Sequence, residues 1–197
     1  MNGLMVSLFG KFHVEAHGEL VGGLEGRKVQ ELFGYLLINP TRSHSREALA
    51  ELLWNERADG QSRKYLRQTL WQIQSALQPY LDNGSNILLV EPDWVQLNLG
   101  CSLWTDVAVF EQAYNQARNV AGVALDSAAA QSLHEAVHLY QGDLLEGCYE
   151  DWCIFERERL QMMYLAMLDK LIDCCEAYGY FEIGLAYAMQ VLRYDRA

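Results

Sequence analysis

Residues 62–79 read Ser62-Arg63-Lys64-Tyr65-Leu66-Arg67-Gln68-Thr69-Leu70-Trp71-Gln72-Ile73-Gln74-Ser75-Ala76-Leu77-Gln78-Pro79. Leu66, Leu70, Ile73 and Leu77 recur at helical spacing, which predicts an amphipathic helix with one stripe facing a core. At about 100° per residue, Lys64, Gln68, Trp71, Gln72 and Ser75 fall on the opposite side, with Arg63, Arg67 and Gln74 on one flank. Such an outward side is either a solvated face or a surface that a partner reads. Amides suit reading, because a glutamine donates and accepts at once and can pair with an adenine edge in the major groove. Lys and Arg near the start of the helix suit phosphates. For Trp71 the choice lies between DNA contact and packing on the rest of the chain; packing is the expectation.

The 197 residues suffice for one large or two small domains, and 51% of them are apolar, enough to bury a core. No window approaches ~18 uninterrupted apolar residues, so no membrane span is expected. The first residues, Met1-Asn2-Gly3-Leu4-Met5, lack the basic-then-apolar layout of a signal peptide. Five cysteines, two of them adjacent (Cys174, Cys175), do not form a disulfide framework pattern. A soluble, cytoplasmic protein with reduced thiols is expected.

Net charge is −11, the strongest argument against nucleic acid as a partner. A mildly basic patch on so acidic a protein predicts modest DNA affinity and a need for dimers or partners. The charge is unevenly spread. Residues 1–100 carry 9 Lys and Arg against 11 Asp and Glu, whereas residues 101–197 carry 6 against 15. Between Arg27 and Arg67 the balance reverses to 8 basic against 5 acidic, and this segment includes the start of the 62–79 helix. A weakly basic module joined to an acidic one fits a binding module fused to a protein-interaction module.

Upstream of that helix, residues 6–18 alternate as a strand, with His17-Gly18 as a turn signal and residues 19–21 as a short returning partner. From Lys28, the residues Val29, Leu32, Phe33, Leu36 and Leu37 predict a first helix closed by Asn39-Pro40. Ser45 is placed to cap a second helix with Glu47 in its first turn and Leu49, Leu52 and Leu53 inward. A linker containing Asp59-Gly60 would lead into the 62–79 helix. Downstream, after the loop Asp82-Asn83-Gly84-Ser85, two β-rich runs flank Pro92-Asp93 and predict a hairpin.

The order small sheet, three helices, hairpin is that of a winged helix-turn-helix. Three runs carry a closer likeness: Gly26-Arg27-Lys28 through Asn39-Pro40, Ser45-Arg46-Glu47 through Trp54, and Ser62-Arg63-Lys64-Tyr65-Leu66-Arg67-Gln68. They resemble the OmpR-type DNA-binding domain of bacterial activators, and most of all the antibiotic-regulatory-protein (SARP) class. The resemblance implies that the third helix enters the major groove while the hairpin wing touches neighbouring backbone or minor groove. It places Lys64, Arg67, Gln68, Trp71 and Gln72 on the recognition surface and Arg46 where phosphates are contacted. Arg63 and Ser75 complete the expected DNA-binding set. Where the family carries basic residues late in this helix, this chain has Gln72 and Gln74.

Residues 101–106 read as a connector to a second module. Helices are expected over residues 106–121, 128–140, 152–178 and 182–194, with Leu185, Ala188, Met189 and Leu192 inward on the last and Trp152, Phe155 and Leu160 inward on the long one. Paired helices joined through Gly179-Tyr180-Phe181 fit tetratricopeptide-like (TPR-like) units. The loop Leu139-Tyr140-Gln141-Gly142-Asp143-Leu144-Leu145-Glu146-Gly147, followed by Asp151-Trp152 and Glu156-Arg157-Glu158-Arg159-Leu160, resembles the bacterial transcriptional activator domain (BTAD). The fold class expected is therefore mainly α with small β-sheets: a winged helix-turn-helix over residues 1–100 and a TPR-like activator domain over residues 101–197. Because family members continue with more helical repeats, a fragment of a longer regulator is expected, with apolar surface exposed at the end of the helical module.

His134 and His138 lie one helical turn apart and Cys148 and Cys153 follow, but their spacing matches no zinc finger or ribbon, so no metal is assigned. Glu156 to Arg159 read as a surface charge network that pairs in part with Asp143, and Cys174 and Cys175 as packed thiols. No phosphate loop, Ser-His-Asp set or paired acids appear at usable spacing, so neither an enzyme nor a cofactor is expected. The favoured reading is a sequence-specific transcriptional activator. Its implied partners are double-stranded promoter DNA, RNA polymerase, a second copy bound through the helical module, and further C-terminal domains. The acidic balance and the two late glutamines also fit a second reading, an adaptor that binds protein rather than DNA.

Overall fold

The computed structural model describes residues 3–54, 59–81 and 84–194. The expected turn residues Asp82 and Asn83, the first two residues and the last three lie outside that set. The chain divides into two units, one comprising Met1–Thr105 with Leu145–Cys148 and the other Asp106–Leu144 with Tyr149–Ala197.

The first unit opens with strands β1 (Leu4–Ser7), β2 (His13–Ala16) and β3 (Glu19–Leu20). Residues 6–18 are thus two strands rather than one: the chain breaks at Gly10, whose φ of 75° ends the extended run. His17 and Gly18 both have positive φ, the turn geometry that matches strand twist. Helix α1 (Arg27–Ile38) follows, closed by Asn39, whose side-chain amide donates to the Tyr35 carbonyl. Then come β4 (His44–Ser45), α2 (Arg46–Trp54) and α3 (Asp59–Leu77), so Asp59-Gly60 form the first turn of α3 instead of a linker. A 3-10 turn (Gln78–Tyr80) precedes the wing strands β5 (Leu88–Val90) and β6 (Trp94–Leu97).

Two small sheets frame the three helices. The wing sheet runs β4-β6-β5, because His44 and Ser45 add a third strand opposite Val95 and Trp94. The other sheet runs β3-β2-β1-β7, where β7 (Leu103–Thr105) pairs parallel with β1, Leu4 against Leu103. Residues 101–106 are therefore not a connector: they carry an edge strand of the first unit. Leu32, Phe33, Leu36, Leu66, Leu70, Ile73 and Leu77 are buried in this unit together with Leu4, Val6 and Leu8.

Leu145–Cys148 completes this unit. The Leu145 N–H donates to the Leu8 carbonyl at 2.8 Å, and that of Glu146 to the Gly10 carbonyl at 2.8 Å. Leu145 holds a φ of 48° and is buried against α1 at Gly34, where a Cβ would stand 2.6 Å from Leu145 Cδ1. The missing side chain at position 34 is the slot that the leucine fills.

The second unit consists of α4 (Asp106–Ala117), a 3-10 turn (Gly122–Ala124), α5 (Ser127–Leu139), α6 (Asp151–Tyr178) and α7 (Phe181–Tyr194). Asp126 caps α5 by accepting from the Ala129 N–H at 2.7 Å. Helix α6 ends at Gly179 in the left-handed conformation, with the Tyr180 N–H reaching the Cys175 carbonyl, which turns the chain back into α7. Gly122 sits against α6, where a Cβ would lie 2.6 Å from the Lys170 carbonyl oxygen. Arg159 binds Glu111 at 2.5 Å and Glu156 at 2.7 Å; burial works against its charge, but these two carboxylates outweigh it and raise its pKa. Arg157 donates to the Leu144 carbonyl at 2.7 Å, which ties α6 to the loop before it.

Two expectations about inward faces are corrected. Leu185, Met189 and Leu192 of α7 are 64%, 56% and 67% exposed, while Gly184 and Tyr187 are buried. Gly184 decides this: with no side chain it lets α7 approach α6 at Cys175, whose Cβ would be 3.1 Å from a Cβ there. The helix is thereby turned with its larger apolar residues outward. On α6, Phe155 is 69% exposed, about 140° around the helix from buried Leu160.

Gly34 and Leu145 make a reciprocal fit that unfolding in urea tests. Gly34→Ala should cost about 1–3 kcal/mol by overpacking, and Leu145→Ala about 2–5 kcal/mol by leaving a cavity. In the double variant the new methyl group occupies vacated space, so its cost should fall below the sum; additive costs would contradict the fit.

Candidate nucleic-acid interface

The site is assembled from α2, α3 and the turn between the wing strands. Helix α3 is fixed by its apolar row, since Leu66, Leu70, Ile73 and Leu77 are buried. Its start is tied to α2 by the Ser62 hydroxyl, which donates to the Trp54 carbonyl at 3.1 Å, and by Tyr65 stacked on Trp54 with ring centroids 6.4 Å apart. With that side buried, Lys64, Arg67, Gln68, Trp71 and Ser75 are exposed. Trp71 is 67% exposed, so it does not pack on the protein as the sequence suggested.

The remaining members of the expected set are used, at least in part, by the fold itself. Arg46 Nη1 donates to the Glu91 carbonyl at 3.1 Å and its backbone N–H to the Asp93 carbonyl at 3.0 Å, so it pins the wing turn to the start of α2. Ser45 precedes it as the cap, its hydroxyl accepting from the Ala48 N–H at 3.4 Å. Arg63 reaches Glu47 Oε1 at 2.6 Å, both side chains remaining largely in solvent. Gln72 Nε2 donates to the Gly23 carbonyl at 2.8 Å, and Gln74 Nε2 to the Leu88 carbonyl at 3.2 Å. Each glutamine therefore spends an N–H on holding a neighbouring segment, Gln72 the loop before α1 and Gln74 the first wing strand. Nothing in the residue pattern announces either bond, because the acceptors lie 49 and 14 residues away.

Between α2, α3 and the wing turn lies an open depression of about 600 Å³. Arg46, Arg63, Lys64 and Arg67 line it, opposed by Glu47 and Asp93. Four cations against two carboxylates make a locally positive groove on an acidic protein. A groove of that sign attracts phosphate oxygens, with an attraction that salt screens. Beside it the exposed amide of Gln68 and the indole of Trp71 offer directional and apolar contacts.

Other candidate chemistry resolves into structural roles. His134 Nδ1 lies 2.6 Å from the Tyr187 hydroxyl, and His138 Nδ1 lies 2.8 Å from the His134 carbonyl. Cys148, Cys153, Cys174 and Cys175 are buried thiols. Among the described residues no group of three or more His, Cys, Asp or Glu is arranged to hold a metal ion, and no helix is long and apolar enough to cross a membrane.

Comparison with known proteins bears on the helical unit that follows this site. Residues 105–194 match the profile of the family described as Bacterial transcriptional activator domain. In front of that domain the chain carries a winged helix, so a winged helix followed by a TPR-like helical unit is the fold. A solved structure, Mycobacterium tuberculosis EmbR in complex with a low-affinity phosphopeptide, shares the fold with a TM-score of 0.67 at 16% sequence identity. The match covers 95% of this chain and 58% of the EmbR chain, so the chain spans less than two thirds of that protein. No curated protein matches the sequence significantly.

Immediately before the Ser45 cap, His44 is buried with its ring 5.1 Å from that of Tyr35. Burial pushes its pKa down; a hydrogen bond to the Asn39 backbone acts against this and Arg42 adds to it. The folded chain thus resists protonation of His44 more than the unfolded chain does. The resulting stability is fully present above the unfolded value near pH 6.5 and is lost as pH falls through the folded one. Urea midpoints should therefore drop between about pH 7.5 and about pH 5.5, and drop less in His44→Gln; equal drops would contradict this assignment.

Proposed function

We propose that the chain is a sequence-specific DNA-binding activator whose α3 lies in the major groove of promoter DNA. The observation that carries this reading is the two-sidedness of α3: its apolar row is buried, and Lys64, Arg67, Gln68, Trp71 and Ser75 stand outward beside a positive groove. Lys64, Arg67 and Arg63 meet phosphates, and Arg46 holds the wing turn where it reaches the neighbouring backbone. Gln68 reads a base edge, adenine being the best match to its amide. Gln72 and Gln74 support the reading surface from behind through their bonds to Gly23 and Leu88. The acidic helical module serves protein contacts, with RNA polymerase, a second copy of the chain and further C-terminal domains as its partners.

A second reading, a winged helix that binds protein as an adaptor, is favoured by one set of observations. Arg63 is paired with Glu47, two glutamines are tied to their own backbone, and net charge is −11. Gel-shift titrations at two salt concentrations separate the two. Lys64→Ala or Arg67→Ala should weaken binding to every sequence and each lower the salt slope by about one. Gln68→Ala should instead relax preference at one or two base pairs, by about 1–3 kcal/mol. Unchanged affinity in all three variants would remove α3 as the reading element and leave the adaptor.

A further inference from the structure

Trp71 is the largest side chain on the outward side of α3 and lies near the middle of that side. It falls seven residues after Lys64, four after Arg67, three after Gln68 and four before Ser75, one stripe of exposed positions. At 67% exposure, it adds nothing to the core that would account for a tryptophan there. An indole is a flat apolar surface with a single N–H donor and no acceptor. It cannot make the donor-and-acceptor pair by which glutamine recognises adenine, nor the two donor bonds by which arginine recognises guanine. The major groove presents one apolar feature, the 5-methyl group of thymine.

We propose that Trp71 is a thymine-reading residue, its indole face covering the methyl groups of one or two adjacent thymines in the operator. The assignment rests on the DNA-binding reading of α3 and adds the chemistry of the sequence it selects. Electrostatics point the same way. Residues 1–100 carry 9 basic against 11 acidic side chains, and the groove beside α3 holds four cations against two acids. Phosphate attraction is therefore modest and fades with salt. Covering a methyl group removes apolar surface from water, a gain that ionic screening leaves in place. An operator with thymine opposite Trp71 thus supplies affinity where cations are few.

The test uses the 197-residue chain and duplexes it enriches from a random pool at low salt. Each thymine in the enriched site is replaced in turn by uracil, which removes only the methyl group. Affinities follow from fluorescence anisotropy for the parent chain and for Trp71→Ala, whose exposed position should leave its thermal unfolding unchanged. Uracil at one or two adjacent positions should weaken the parent about four-fold each, the factor that burial of one such carbon is worth. The same replacements should leave Trp71→Ala unaffected, and the salt slope should not move in either. Tolerance of uracil at every position by the parent, or an equal penalty in Trp71→Ala, overturns the assignment even if DNA is bound. If no sequence is enriched at all, the DNA reading itself fails, the thymine assignment falls with it, and Trp71 becomes a contact for protein.

Discussion

Burial of one row of side chains on α3 governs what the first unit can do. Leu66, Leu70, Ile73 and Leu77 are each almost wholly removed from water, and burying an aliphatic side chain of that size is worth about 1.5–3 kcal/mol. Rotating the helix to hide its polar side would expose all four. The orientation of Lys64, Arg67, Gln68 and Trp71 is thus a consequence of the core. Their chemistry needs no further scaffold than the segments packed around α3. Those segments are held by bonds that reach from one element to another: Ser62 to Trp54, Gln72 to Gly23, Gln74 to Leu88, and Arg46 to the wing turn.

The same logic sets the helical unit, with small residues in place of leucines as the deciding feature. Gly122 and Gly184 mark where one segment comes close to another, and a Cβ at either position meets atoms of α6. Close approach at Gly184 fixes the rotation of α7 and brings Tyr187 to His134. Tyr140 and Tyr164 stack with centroids 4.4 Å apart and Tyr194 stands edge-on to both, the ring geometry that aromatic quadrupoles favour. Burial raises the pKa of Tyr164 to about 12, so its hydroxyl remains a donor, and it is bonded to Gln190.

Elements with a strong period were legible in the sequence. The rows of α1 and α3, the turn residues of the wing and the glycine closing α6 each state a local preference that packing then follows. What stayed hidden depends on partners distant in the chain. Two residues, His44 and Ser45, become a strand only because β6 lies beside them, and Leu103–Thr105 only because β1 does. Leu145 looked like part of a helical-module loop, yet Gly34, more than a hundred positions earlier, offers it a slot. On α7 hydrophobicity alone pointed to Leu185, Met189 and Leu192, and the glycine that overrules them carries no hydropathy signal of its own. At the candidate interface the sequence identified the outward side but not the division of labour within it. Gln68 and Gln72 are alike in composition; only the position of the Gly23 carbonyl separates an outward-facing amide from a supporting one.

The central claim is that a duplex meets the outward side of α3 while its supporting amides stay bound to their own chain. Side-chain resonances report this most directly, because the Gln68 amide, the Trp71 indole N–H and the Gln74 amide can each be followed during titration with an enriched duplex. The account requires the Gln68 and Trp71 signals to shift in proportion to bound DNA while the Gln74 signal, tied to the Leu88 carbonyl, keeps its position. Shifts confined to the helical unit, with the Gln68 and Trp71 signals unmoved by any duplex, would contradict it.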